Sequence, residues 1–193
     1  AGPQEEALPG FMREEKLQTA TALGTLYHRV AERIDFSMEA GLEHVRGFLS
    51  GMVDQGLLSV EERRRISPYK WSHLLDSAIG RRMGRAWQEG LLFRERPFIM
   101  GIPARQLRAE WDSDQLVVVQ GIIDAWFIED GGIVIVDYKT DRAAEGKNLI
   151  DRYGKQLYYY KAALERAEGL PVKECIIYSF HLEEEIHLPL TEF

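Results

Sequence analysis

The chain has 193 residues, of which 45% are apolar and 28% are charged, and its formal net charge is -7. These values are typical of one folded domain, exclude a multidomain machine, and argue against a protein that coats nucleic acid through bulk positive charge. The single cysteine, Cys175, excludes intrachain disulfides, a four-cysteine zinc site and a cysteine-ligated iron–sulfur cluster. Without a signal peptide or a long apolar run, we expect a cytoplasmic protein, and the missing initiator Met leads us to expect a fragment of a longer one.

The first half of the chain has the periodicity of helices. Residues 1–10, rich in proline, glycine and glutamate, predict a linker or disordered end, and we expect residues 11–193 to form a single domain that is mainly helical over 11–90. Apolar residues at helical spacing predict helices from residue 23 and from residue 42, the second ending near Gly56. A capping box at Ser59 and Glu62 predicts a short helix, and one long helix is predicted from Pro68 to Gly90.

After residue 90 the apolar period becomes that of strands, so residues 91–193 predict a sheet core with a crossover helix. The predicted strands cover residues 92–100, 115–129, 133–139, 172–181 and 185–190, and the predicted helix runs over 148–168. A strand, a helix and a strand in this order form a right-handed crossover, which makes the strand at 172–181 parallel to an earlier one. The chain is therefore predicted to have an α/β fold.

Two acidic residues and a lysine are predicted to meet where two strands pair. If Asp130 and Gly131 form a two-residue turn, the hairpin register places Asp124 opposite Asp137. Lys139 then shares a face with Asp137, because side chains two residues apart on a strand point the same way. Opposed carboxylates on apolar strands are unfavourable unless something compensates them, and a divalent cation is the simplest candidate.

A second register remains open from the residues alone. If Gly131 and Gly132 form the turn, Asp124 faces Lys139 and the two form an ordinary cross-strand ion pair. An Asp-x-Lys pattern on a strand is more often such a pair than an active site. The pattern therefore needs support from other parts of the chain.

That support comes from motifs spread along the sequence. In chain order these are Gly24-x-x-x-His28, Glu95-x-Pro97-Phe98, Gly121-x-x-Asp124, Asp137-x-Lys139 and Gln156-x-x-x-Tyr160. The set resembles the RecB-like branch of the PD-(D/E)xK nuclease superfamily, and the whole chain is similar to the nuclease domains of bacterial helicase-nucleases. The resemblance implies a restriction-endonuclease-like core, a mixed sheet flanked by helices, with an N-terminal helical region.

The resemblance also implies the chemistry of the site. We expect a Mg²⁺-dependent deoxyribonuclease of the exonuclease type, with Mn²⁺ as a substitute and ATP used only by a helicase portion outside these residues. The expected metal ligands are His28, Asp124, Asp137 and the backbone carbonyl of Tyr138. The expected catalytic residues, besides the two aspartates, are Lys139 to position the attacking water, and Gln156 and Tyr160 to orient Lys139 or grip the phosphate. Taken singly, His28 is open to being a solvated helix residue, and the tyrosines to being a packing stripe.

The implied partners are DNA, as single strands from an unwound duplex, the helicase portion of the same polypeptide, and an AddB-like second subunit that acts with it in double-strand-break resection and recombinational repair. Seven arginines between residues 81 and 108 offer a local DNA-tracking surface, although each is equally open to being a solvated residue or a protein contact: Arg81, Arg82, Arg85, Arg94, Arg96, Arg105 and Arg108. Four tryptophans are open to base stacking, with core packing expected for most of them: Trp71, Trp87, Trp111 and Trp126. The rival hypothesis is a catalytically silent scaffold of the same fold, which binds DNA or a partner protein.

Overall fold

A computed structural model of the chain describes residues 22–107 and 113–190. The predicted ends at 1–10 and the residues Arg108 and Trp111 lie outside this part. The first described half consists of helices: α1 (Ala22–Ala31), α2 (Leu42–Asp54), α3 (Val60–Arg65), α4 (Pro68–Asp76) and α5 (Ala78–Gln88). The second half contains β1 (Leu92–Pro103), α6 (Ala104–Leu107), β2 (Leu116–Glu129), β3 (Gly132–Lys139), α7 (Gly146–Glu168), β4 (Val172–Ser179) and β5 (Glu184–Leu188).

The five strands form one mixed sheet in the order β1-β2-β3-β4-β5. Strands β3 and β4 are parallel and joined by α7, while the other neighbouring pairs are antiparallel. This confirms the predicted α/β fold and the crossover. Within the described residues, no helix is both long and apolar enough to cross a membrane.

The sheet separates two apolar layers. Val134, Val136 and Tyr138 of β3 face a core built with the N-terminal helices, and Ile133 and Ile135 face the layer under α7. The alternation follows directly from the two-residue period of a strand, and all eight residues of β3 are buried. A strand covered on both faces holds any polar side chain at its end out of water, which is what makes the charged end of β3 informative.

The predicted long helix from Pro68 to Gly90 is wrong, because the structure has two helices that meet at Ser77. Ser77 adopts an extended backbone, with ψ 165°, and its hydroxyl accepts a hydrogen bond from the Gly80 N–H at 3.1 Å. A serine in this conformation is a helix N-cap, so it starts α5 instead of continuing α4. The capping box at Ser59 and Glu62 is present as predicted.

Candidate metal and catalytic site

The hairpin that joins β2 and β3 fixes the register of the site. Asp130 and Gly131 both have positive φ, 49° and 73°, and Glu129 lies opposite Gly132. Positive φ at both turn positions is the geometry of a type I′ turn, so the register that follows from an Asp-Gly turn is confirmed. The paired region of β2 and β3 ends at Ala125 and Val136, and Asp124 is the next residue of β2.

Asp124 binds the backbone of β3 where this pairing ends. Its Oδ2 accepts a hydrogen bond from the Tyr138 N–H at 2.9 Å. The N–H and C=O of one strand residue point toward the same neighbouring strand, so the Tyr138 carbonyl is directed to the Asp124 side. The Lys139 carbonyl points the other way and accepts from the Phe180 N–H at 2.9 Å. The structure thus brings the predicted Tyr138 carbonyl and Asp124 to the same opening.

His28 reaches this opening from α1. Its Nδ1 lies 3.3 Å from Asp124 Oδ1 and 3.9 Å from Glu95 Oε1. Among the described residues, these three side chains offer ligand atoms that all lie within 4.8 Å of one another. The motif residues His28 and Asp124 therefore meet as predicted, and Glu95 joins them.

Glu95 is the candidate ligand that sequence reasoning missed. It has φ 48°, a left-handed conformation that costs a non-glycine residue about 1–2 kcal/mol. It lies between the paired positions 94/125 and 96/123 and therefore opposite Asp124. Ile123 and Trp126 face the α7 layer while Ala125 faces the helical core, so the alternation of β2 is also broken at Asp124. This paired irregularity lets both carboxylates turn toward His28. The Glu95-x-Pro97-Phe98 motif was the only signal for it in the sequence.

Asp137 and Lys139 form a second group at the end of β3. Their side chains share a face, as predicted, and Lys139 Nζ lies 3.0 Å from Asp137 Oδ2. Asp137 is 1% exposed and Lys139 8% exposed. The predicted opposition of the two aspartates is thus altered, since Asp124 turns to His28 and Asp137 pairs with Lys139. The cause is the break in strand alternation at Asp124.

The two groups are close enough to influence each other electrostatically. Asp124 raises the pKa of His28 to about 11, against the opposing effects of burial and of Lys139. Burial raises the pKa of Asp124, but His28, Lys139 and the Tyr138 N–H outweigh it, and the net pKa is lowered. With His28 protonated, the carboxylates of Glu95, Asp124 and Asp137 outnumber the cations by one.

The residues fit a divalent cation. Glu95 Oε1 is buried and, among the described residues, accepts no hydrogen bond. Carboxylate and carbonyl oxygens with one imidazole suit Mg²⁺ or Mn²⁺. A divalent cation that replaced the proton of His28 would bring the group of three carboxylates and one ammonium to neutrality.

Gln156 and Tyr160 lie on the buried face of α7, as the spacing predicted. Gln156 Nε2 donates to the Tyr160 hydroxyl at 2.6 Å, and both residues are 2% exposed or less. Tyr153 lies one turn before Gln156, and Lys139 Nζ is 4.2 Å from the centre of its ring. Helix α7 therefore presents Tyr153 to the end of β3, with the amide and the phenol on the following turns.

The predicted arginine surface is divided between internal and exposed roles. Arg82 forms ion pairs with Glu129 at 2.7 Å and Glu174 at 2.6 Å, and Arg94 donates to two backbone carbonyls at the end of α1. These two hold the helices to the sheet, which removes them from a DNA-facing set. Arg81 and Arg105 pair with surface aspartates, Arg96 packs over Phe93, and Arg85 is exposed.

The tryptophans and the cysteine serve packing. Trp71 and Trp126 are buried in the two layers, and the Arg94 guanidinium lies 4.4 Å from the ring centre of Trp87. Cys175 is buried in β4, where burial raises the pKa of its thiol to about 12. The expectation that Cys175 only packs is consistent with this environment.

Comparison with known proteins identifies relatives over nearly the whole chain. Residues 4–187 match the family model of the PD-(D/E)XK nuclease superfamily. A large subunit of an ATP-dependent helicase/nuclease from Lachnoclostridium phytofermentans is 36% identical over 95% of this chain and 16% of its own length. The helicase/nuclease proteins of the same name from Clostridium perfringens and Clostridium kluyveri are 36% and 33% identical, over 93% and 89% of this chain. The chain spans about one sixth of the length of these curated relatives.

Proposed function

The chain belongs to the PD-(D/E)XK nuclease superfamily, and from that premise we propose that it is a Mg²⁺-dependent deoxyribonuclease that hydrolyses phosphodiester bonds. The observation that carries the proposal is the meeting of His28, Glu95 and Asp124 beside the buried pair of Asp137 and Lys139. A group of acidic residues held out of water costs stability unless it serves a bound cation. The strained backbone of Glu95 adds to that cost, and strain of this kind concentrates at functional sites.

The proposed metal ligands are His28, Asp124, Asp137 and the Tyr138 carbonyl, and we add Glu95 from its position. When bound, a divalent cation neutralises charge on the phosphate and makes a water molecule more acidic. The protein residues hold that position in place before substrate arrives. The Tyr138 N–H fixes Asp124, and the break in strand alternation aims Glu95 and Asp124 at His28.

Lys139 is the proposed residue that acts on the reacting atoms. Its ammonium is fixed beside Asp137, where it can hold the attacking water by a hydrogen bond and stabilise the negative charge that develops on the phosphate. Gln156 and Tyr160 are proposed to position this end of the site through their mutual hydrogen bond on α7. Because these groups are buried and prearranged, little reorganisation is needed during the reaction.

We further propose that the chain is the nuclease portion of an AddA-type helicase-nuclease, which degrades single DNA strands as an exonuclease in cytoplasmic double-strand-break resection and recombinational repair, with an AddB-like subunit. The names of its relatives and its short share of their length support this assignment. One face of the β1–β2 ribbon supports a contact with further protein, since it exposes Ile99, Leu116, Val118 and Ile122. Exposed apolar strips of this kind mark interaction surfaces.

The test is degradation of linear single-stranded DNA by the purified chain, with Mg²⁺ or with EDTA. We expect cleavage only with Mg²⁺, and losses of at least a hundredfold in Asp137→Asn and Lys139→Ala, the order of effect for a lost catalytic group (about 10²–10³-fold). Asp151→Asn, which changes an exposed aspartate of α7, is the matched control and should keep the parent rate. DNA binding without cleavage in Mg²⁺ would instead favour the silent scaffold.

A further inference from the structure

Tyr153 is buried beside the reacting lysine, and the proposed chemistry gives it no role. It is 6% exposed, and the centre of its ring lies 4.2 Å from Lys139 Nζ. The same Nζ lies 3.0 Å from Asp137 Oδ2. The lysine ammonium is therefore held between a carboxylate on its own strand and an aromatic face on α7.

We propose that Tyr153 is the positioning residue for Lys139, and that the face of its ring fixes the ammonium where the reaction needs it. The inference rests on the proposed function, since it concerns the same reaction. A lysine side chain has four rotatable bonds and loses considerable rotamer entropy when it is held in one place. A cation within about 6 Å of a ring centre is attracted by the ring quadrupole, and the attraction is larger away from water.

The position of α7 makes this contact specific. Tyr153 lies on the same buried helix face as Gln156 and Tyr160, so the packing of α7 against the sheet sets the ring position. A ring held by core packing does not have to be ordered when substrate binds. Substitution of the ring should therefore affect how well Lys139 is oriented more than how tightly DNA is bound.

The ring face, and not the hydroxyl, is the part that acts on Lys139. The hydroxyl interacts with Asp141 and Arg152, and these two form an ion pair at 3.4 Å. The Arg152 guanidinium lies 5.8 Å from the ring centre, and its side chain is 40% exposed. Phenylalanine preserves the ring face and loses only the hydroxyl, whereas leucine fills similar space with no ring.

The experiment measures kcat and KM for single-stranded DNA in saturating Mg²⁺. We expect Tyr153→Phe to stay within about twofold of the parent, and Tyr153→Leu to lower kcat about tenfold, equivalent to about 1.4 kcal/mol, with KM unchanged. Tyr159→Leu is the matched control, because Tyr159 is a buried tyrosine of α7 that packs on Ile102 and Val119. It should lower thermal stability without changing kcat.

A double variant separates positioning from a structural role. In the Lys139→Ala background, Tyr153→Leu should cause no further loss, since the group that it positions is absent. A tenfold further loss in that background, or a Tyr153→Phe variant as damaged as Tyr153→Leu, would overturn the inference. An active parent with a fully active Tyr153→Leu would overturn the inference alone, while a parent that cleaves nothing in Mg²⁺ would overturn the proposed function and this inference with it.

Discussion

Removing one member of the buried Asp137–Lys139 pair should destabilise the metal-free protein more than removing both together. The two side chains are 1% and 8% exposed, and their charged atoms are 3.0 Å apart. At that distance and an effective dielectric constant of about 20, two unit charges attract by about 5–6 kcal/mol. This attraction offsets the cost of keeping both charges out of water, so each charge depends on the other.

The expected sizes differ between the two single variants. Breaking a buried ion pair from one side costs about 3–5 kcal/mol. Lys139→Met should lie at the upper end, because it leaves the carboxylates of Glu95, Asp124 and Asp137 with His28 as the neighbouring cation. Asp137→Asn should lie at the lower end, because Lys139 keeps the attraction of Asp124 and of the ring of Tyr153.

The double variant Asp137→Asn with Lys139→Met should recover most of the loss, because no uncompensated charge of the pair remains. The measurement is urea unfolding of the parent, both single variants and the double variant in EDTA at pH 8. If the two single effects simply added, within about 0.5 kcal/mol, the pair would not be coupled and the charge argument would be refuted. Adding Mg²⁺ should reduce the penalty of Lys139→Met, because a cation then compensates the carboxylates.

Three further predictions follow from the structure. In differential scanning calorimetry, Mg²⁺ at about ten times its Kd should raise the Tm of the parent by about 3–6 °C and should leave Asp124→Asn unchanged, because ligand binding stabilises only the native state. Arg82 and Lys173 lower the pKa of Glu129 to about 2, so the stabilisation by Arg82 is complete above the unfolded value of 4.5 and is lost as the pH falls toward 2. Thermal denaturation of the parent and Arg82→Leu should therefore converge over that range, and a constant difference would contradict the assignment. Urea unfolding should show Gly80→Ala destabilised by roughly 2 kcal/mol or more, since the added Cβ overlaps a backbone carbonyl of α4, whereas Gly47→Ala, with open space on α2, should gain about 0.5–1 kcal/mol.

The parts of the fold that depend on local chemistry could be predicted from the sequence. The Asp130–Gly131 turn set the register of β2 and β3, because few residue types tolerate positive φ at both turn positions. The alternation along β3 then placed Asp137 and Lys139 on one face. The break at Ser77 was missed, although serine is a strong N-cap, since the apolar period continues across it and the choice between one helix and two is made by packing.

The roles of the arginines depended on distant partners. Arg82 meets Glu129 and Glu174, which lie 47 and 92 residues further along the chain. Local charge density at residues 81–108 counts such a residue as part of a basic surface, because its acidic partners lie outside the window. An excess of arginine in sequence therefore overstates the charge that the folded protein shows to DNA.

The candidate site shows the same limit in its most important feature. Spacing along a strand predicts which face a carboxylate takes, but Glu95 and Asp124 reach His28 only because the strands depart from regular alternation at both residues. Such a departure is unfavourable for each strand alone, so no local pattern favours it. It persists because the surrounding sheet and α1 over-determine the backbone, and the arrangement is balanced when a divalent cation takes the place of the His28 proton. Metal binding at this site should therefore release a proton, which titration calorimetry in buffers of different ionisation enthalpy would detect.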